Sequence, residues 1–182
     1  KAGETWQETV IRIYETTGDV FFANFKGSFS GLLFDKRKNK WLIFTDHIGS
    51  KHIYFTKKGM NYLFSSEIKY LYDSLKENKI SYSLDEQAAY MLLSYGYMLG
   101  DSTLCSEIKK LLPGHYLKIE DNKLSLHQYF ALPDNYDESI TEDEAIENID
   151  RLFREAIRLQ FEKDREYDYK HLVALSGGLD SR

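Results

Sequence analysis

The sequence predicts an α+β fold for most of its length, followed by the opening of a parallel α/β domain. Three observations predict it. Short apolar runs separated by polar and glycine-containing turns recur between Phe21 and Phe130. A long amphipathic helical pattern follows Thr141. Finally, the apolar run His171 to Leu175 leads directly into Ser176-Gly177-Gly178-Leu179-Asp180-Ser181. Short strands spaced by turn signals read as hairpins, whereas helix, strand and glycine loop in succession read as the start of a parallel sheet.

Taken in order, residues 5–17 carry Trp6, Val10, Ile13 and Tyr14 at helical spacing. Phe21 to Phe25 and Phe29 to Phe34 then read as strands separated by Lys26-Gly27-Ser28, and Asp35 to Lys40 turns the chain into Trp41 to Phe44. His52 to Phe55 pairs with Tyr62 to Phe64 across Lys57 to Asn61. Several of these strands are apolar on both faces, so each sheet should be covered on both sides by a helix or a second sheet. A short helix is expected from Glu67 to Leu75. Ser83, with Glu86 as its capping-box partner, should open another that carries Leu84, Ala88, Met91, Leu92 and Tyr95. Tyr116 to Ile119 and Leu124 to Phe130 read as a hairpin across Glu120 to Lys123. Residues 133–140 read as an acidic linker. Thr141 and Glu144 form a capping box before a helix whose buried face should hold Ile146, Ile149, Leu152, Phe153, Ala156 and Ile157. A charged break at Glu162 to Glu166 leads to the His171–Leu175 strand. The expected divisions are residues 1–132, 133–140 and 141–182, and the second domain breaks off before it can close, as in a fragment.

Composition narrows the classes of function. With 42% hydrophobic and 29% charged residues, the chain has the material of a soluble globular protein. A net charge of −5 argues against a nucleic-acid surface. The single Cys105 cannot close an internal disulfide, which suits the cytoplasm. No apolar stretch has membrane-spanning length.

The terminal loop carries the chemistry. A strand, a glycine turn and a helix start make a phosphate cradle from backbone N–H groups and the helix dipole. Gly177 and Gly178 let the backbone approach an anion, and Ser176 and Ser181 add hydroxyl donors. Asp180 repels phosphate directly, so it is expected to hold magnesium between carboxylate and phosphate. The loop is neither a Walker A sequence nor a dinucleotide fingerprint. The alternative is a tight turn in which Asp180 or Ser181 merely caps a helix.

Four motifs stand in one order. Gly27-Ser28-Phe29-Ser30-Gly31-Leu32-Leu33-Phe34-Asp35 with Thr45-Asp46-His47-Ile48-Gly49-Ser50-Lys51-His52-Ile53-Tyr54 resembles the G-x-F-A-F-x-x-x-D and R-D-x-x-G-x-x-P-L-Y stretch of the glutamine-hydrolysing asparagine synthetases. Ser66-Glu67-Ile68-Lys69 resembles their S-E-x-K segment, and Ile108 to His115 their I-x-x-L-x-P-G-H turn. Ser176 to Ser181 matches their S-G-G-x-D-S pyrophosphate loop. The resemblance implies an incomplete Ntn-hydrolase-like αββα amidotransferase sandwich over 1–132, followed by the beginning of an ATP-pyrophosphatase domain. It implies ATP and Mg2+, with Leu175, Ser176, Gly177, Gly178, Asp180 and Ser181 at the nucleotide and Asp180 on the metal. In that family ATP activates a carboxylate as an acyl-adenylate, and glutamine-derived ammonia attacks it to give an amide, asparagine from aspartate. Small-molecule partners are implied, no nucleic acid or membrane, and a homodimer is allowed.

The chain also departs from the pattern. Thr45 stands for the usual Arg and His52 for the usual Pro. The family's nucleophile is an N-terminal cysteine, whereas this chain starts at Lys1, so no catalytic residue is assigned. Interior Cys105 reads as a small buried hydrophobe. Trp6 falls near the family's acid for the amine of glutamine. The five histidines show no metal spacing, and Lys57-Lys58 and Lys109-Lys110 read as solvated turns. Two further readings stand beside the synthetase: a β-lactam-synthetase-like or peptide-cyclising enzyme without glutaminase activity, and a non-catalytic nucleotide- or partner-binding module.

Overall fold

The computed structural model describes residues 4–134, 137–166, 168–172 and 175–179. The chain divides into two compact units, Lys1–Leu132 and Pro133–Arg182.

The first unit is α+β with antiparallel sheets. Its elements are α1 (Trp6–Thr17), a 3-10 turn (Gly18–Val20), β1 (Ser30–Asp35), β2 (Lys40–Thr45), β3 (Tyr54–Lys58), β4 (Asn61–Ser65), α2 (Ile68–Glu77), α3 (Glu86–Tyr95), β5 (Ile108–Lys110), β6 (His115–Glu120) and β7 (Lys123–Gln128). One sheet runs β1-β2-β6-β7 and the other β4-β3-β5. All their pairings are antiparallel.

Strand alternation explains the layering. Leu42, Phe44 and Tyr116 point from the first sheet toward α1, where they meet Val10, Ile13, Tyr14, Phe21 and Phe22. Their neighbours Ile43 and Leu117 point the other way and join Ile53, Phe55, Phe64 and Leu111. That second cluster is the seam between the two sheets. Tyr54, Leu63 and Ile108 leave the second sheet on its outer face and pack on Leu71 and Leu75 of α2. The order of layers is therefore helix, sheet, sheet, helix. The middle of each sheet is covered on both faces, as the apolar strands require, while Leu32, Phe34, Trp41 and Leu126 toward the margins stay exposed.

Local chemistry sets the element ends. Thr5 and Glu8 cap α1 reciprocally: Thr5 Oγ1 accepts from Glu8 N at 3.3 Å, and Glu8 Oε2 accepts from Thr5 N at 2.8 Å. Asp121 and Asn122, at φ +51° and +59°, make the two-residue turn from β6 to β7. The β3–β4 hairpin also needs only two turn residues, Gly59 and Met60, so Lys57 and Lys58 belong to β3. Lys109 and Lys110 likewise lie in β5 rather than in a turn.

Other expectations are corrected. Phe21 to Phe25 is not a strand. Phe21 N donates to Gly18 O, Ala23 N to Val20 O and Phe25 N to Phe22 O, at 3.2, 2.9 and 2.9 Å, which winds the segment into turns. Phe21 and Phe22 then both enter the core, which strand alternation would forbid. The cap of α3 is Asp85, which accepts from Ala88 N at 2.9 Å, and Leu84 precedes the helix. Ser83 instead donates from N and Oγ to the Glu107 carboxylate.

In the second unit α4 spans Glu142–Glu166, so the charged residues 162–166 continue the helix. Its capping box forms as expected: Thr141 N donates to Glu144 Oε2 at 3.0 Å, and Glu144 N to Thr141 Oγ1 at 3.3 Å. The face expected to be buried is not. Ile146, Ile149, Leu152, Phe153 and Ile157 are exposed, as is Ala156. Nor do His171, Leu172 and Leu175 form a buried strand; Leu172 is 97% and Leu175 78% exposed. Val173 and Ala174 of that run lie outside the described residues. A strand exists by pairing, and the described part of this unit contains no second strand to pair with.

Candidate functional site

The segments around Phe29, Asp46 and Gly114, each part of a motif, meet at one aspartate. Asp46 leaves the end of β2 and is 1% exposed. Its Oδ1 accepts from Ile48 N at 3.2 Å and Ser50 N at 3.0 Å. Its Oδ2 accepts from Phe29 N at 3.2 Å, Ser50 Oγ at 2.6 Å and Lys51 N at 3.3 Å. The Asp46 backbone donates to Phe29 O at 3.0 Å and accepts from Gly49 N and Gly114 N, both at 3.1 Å. Burial opposes its charge, but the Ser50 hydroxyl and the amides of Ser50, Phe29 and Ile48 outweigh it and hold the carboxyl below its ordinary range.

Two glycines fit this junction because nothing larger does. Gly49, at φ +67°, would bring a Cβ within 3.0 Å of Pro113 Cγ. Gly114, at φ +64°, would bring one within 2.3 Å of Phe130 O. Thr45 is fully buried, its carbonyl accepting from Tyr129 OH at 2.7 Å and its hydroxyl donating to Lys51 O. The Tyr129 phenol is pushed up to about 12 by burial and by the charge of Asp46. The enclosed site of Thr45 suits a short hydroxyl side chain, whereas His52 lies on the surface. The arrangement clamps residues 46–51 and ties three sequence motifs together. Its bonds run mostly to backbone groups and hold the 46–51 turn in place. No role for Asp46 was read from the sequence, although an aspartate at a strand end with a glycine three residues on signals such a turn.

The expected nucleotide loop lies in the second unit. Leu175, Ser176, Gly177, Gly178 and Leu179 are exposed. Gly178 N donates to Ser176 Oγ at 3.3 Å, and Leu179 enters a 3-10 turn. A Cβ on Gly177 would meet nothing within 4 Å. Asp180 and Ser181, and with them the expected metal ligand, lie outside the described residues. Behind the loop, the His171 ring stacks on Phe161 at 4.3 Å.

The remaining candidates separate cleanly. Cys105 is buried, with Sγ–H donating to Glu107 Oε2 at 3.3 Å. Burial and the neighbouring Glu107 charge push its thiol up, the opposite of an activated nucleophile. Trp6 stands exposed at the start of α1. The carboxylates beside it are engaged. Glu4 takes Arg12 Nε and Nη2 at 2.9 and 3.0 Å and Thr9 Oγ1 at 3.1 Å, and Glu8 is in the cap. The Arg12 guanidinium holds Glu4 at about 2. His47 bonds Ala23 O at 2.9 Å, its ring edge-on to Phe130. His115 bonds Pro113 O, and His127 pairs with Ser125 Oγ, both at 2.7 Å. Among the described residues no group of three or more His, Cys, Asp and Glu could hold a metal ion. No helix among them is long and apolar enough to cross a membrane.

Comparison with known proteins supplies the family. The glutamine amidotransferase domain model matches residues 2–130. "Amidase chry2" of Gibberella zeae is 29% identical over 96% of this chain and 25% of its own length. "Asparagine synthetase [glutamine-hydrolyzing] 2" of Bacillus subtilis is 29% identical over 96% of this chain and 24% of its own. "Putative asparagine synthetase [glutamine-hydrolyzing] 2" of Methanocaldococcus jannaschii is 25% identical over 96% and 33%. The chain thus spans about a quarter to a third of the length of these curated relatives. With four antiparallel-sheet and helix layers beneath the motifs, and a family model covering most of its length, the chain belongs to the glutamine amidotransferase domain family, among relatives that include asparagine synthetases.

Proposed function

We propose that the protein containing this chain is an ATP-dependent, amide-forming synthetase of the asparagine synthetase kind. In this reading residues 1–132 are part of its amidotransferase domain, 133–140 a linker and 141–182 the beginning of its ATP-binding domain, working in the cytoplasm on small molecules. One observation carries the reading: the Ser176–Ser181 loop follows the amidotransferase-family unit in the same chain, as it does in the pattern of asparagine synthetases.

The donor set fits a phosphate. The described part of the loop is exposed, has no side chain at Gly177 or Gly178, and turns back on itself through the Gly178 N–H to Ser176 Oγ bond. When bound, ATP and Mg2+ supply a good leaving group and the positive charge that stabilises its departure. The amide of Gly177 and the hydroxyls of Ser176 and Ser181 would donate to phosphate oxygens as negative charge builds on them. Asp180 would hold the metal, and Leu175 would meet the nucleotide through its backbone. In the full-length protein, amino-acid-dependent exchange of pyrophosphate into ATP should fall at least about a hundredfold with Asp180→Ala, the loss of a few kcal/mol of charge stabilisation. Unchanged exchange would remove the metal assignment.

A second reading keeps carboxylate activation but dispenses with glutamine. It is favoured by the start of α1, where Trp6 occupies the expected place of the amine-binding acid while Arg12 and Thr5 engage Glu4 and Glu8. Release of ammonia from glutamine by the full-length protein decides between the two. The synthetase reading expects it, and the second reading expects none alongside intact pyrophosphate exchange.

A further inference from the structure

We draw no further inference here: the strongest candidate, the apolar cavity of about 390 Å3 between α2 and the 82–84 and 104–108 segments, is lined by exposed side chains such as Tyr72, Tyr82 and Leu84, and nothing in the structure shows what covers it.

Discussion

Residues 1–132 and 133–182 have similar apolar patterning and opposite outcomes. In the first unit every strand of the two sheets has neighbours, and the alternating side chains find a helix on one side and a sheet on the other. In the second, α4 displays an apolar stripe to solvent and the run before the glycine loop forms no strand among its described residues. The hydrophobic term rewards burial rather than pattern. A pattern therefore becomes a core only where a second surface meets it. The same contrast applies to chemistry: the clamp of the first unit is rich in internal hydrogen bonds, whereas the loop of the second presents its described residues to solvent.

Substitutions can break this contrast. The largest effect is expected at Gly114, where a methyl group would collide with Phe130 O in a left-handed backbone. Gly114→Ala should cost about 4 kcal/mol in urea unfolding. A cost below about 1 kcal/mol would show that the junction yields easily.

Asp46→Asn comes next, at about 3 kcal/mol, because an amide cannot accept all the donors now aimed at the carboxylate. Its pH dependence sharpens the point. The folded carboxyl lies below its unfolded value of about 3.9, so its contribution is present above that value and is lost as pH falls through the folded one. The gap in urea midpoint between the two proteins should therefore narrow on acidification. A gap that stayed constant would assign the stabilisation to packing instead of charge.

The smallest effect tests the second unit. Leu42→Ala, in the sealed first core, should cost about 3 kcal/mol. Ile149→Ala and Phe153→Ala, on the open face of α4, should each cost less than about 0.5 kcal/mol in this chain. Comparable losses at all three positions, read from thermal unfolding, would mean that the α4 face is covered in solution.

Much of the first unit was readable from residues alone. The β1–β2 and β6–β7 hairpins follow from apolar alternation and turn residues, and in the second unit the α4 cap follows from the Thr-x-x-Glu spacing. Phe21 to Phe25 misled because five residues with three phenylalanines suit a strand equally well, and only i→i−3 bonds with convergent rings select turns. At α3 two acceptors competed for one cap. Asp85 took it because Ser83 is drawn to Glu107, 24 residues away.

The sequence by itself determined the family motifs and their order, including the Ser-Gly-Gly-Leu-Asp-Ser pattern of residues 176–181, because residue type and near spacing define hydrogen-bonding groups and glycine freedom. Only the tertiary structure decided that Asp46 joins the segments around Phe29 and Gly114, that Ser83 bonds Glu107 instead of capping α3, and that the apolar face of α4 stands open. Those properties depend on which surfaces meet, and long-range packing is not encoded in the period of any one segment.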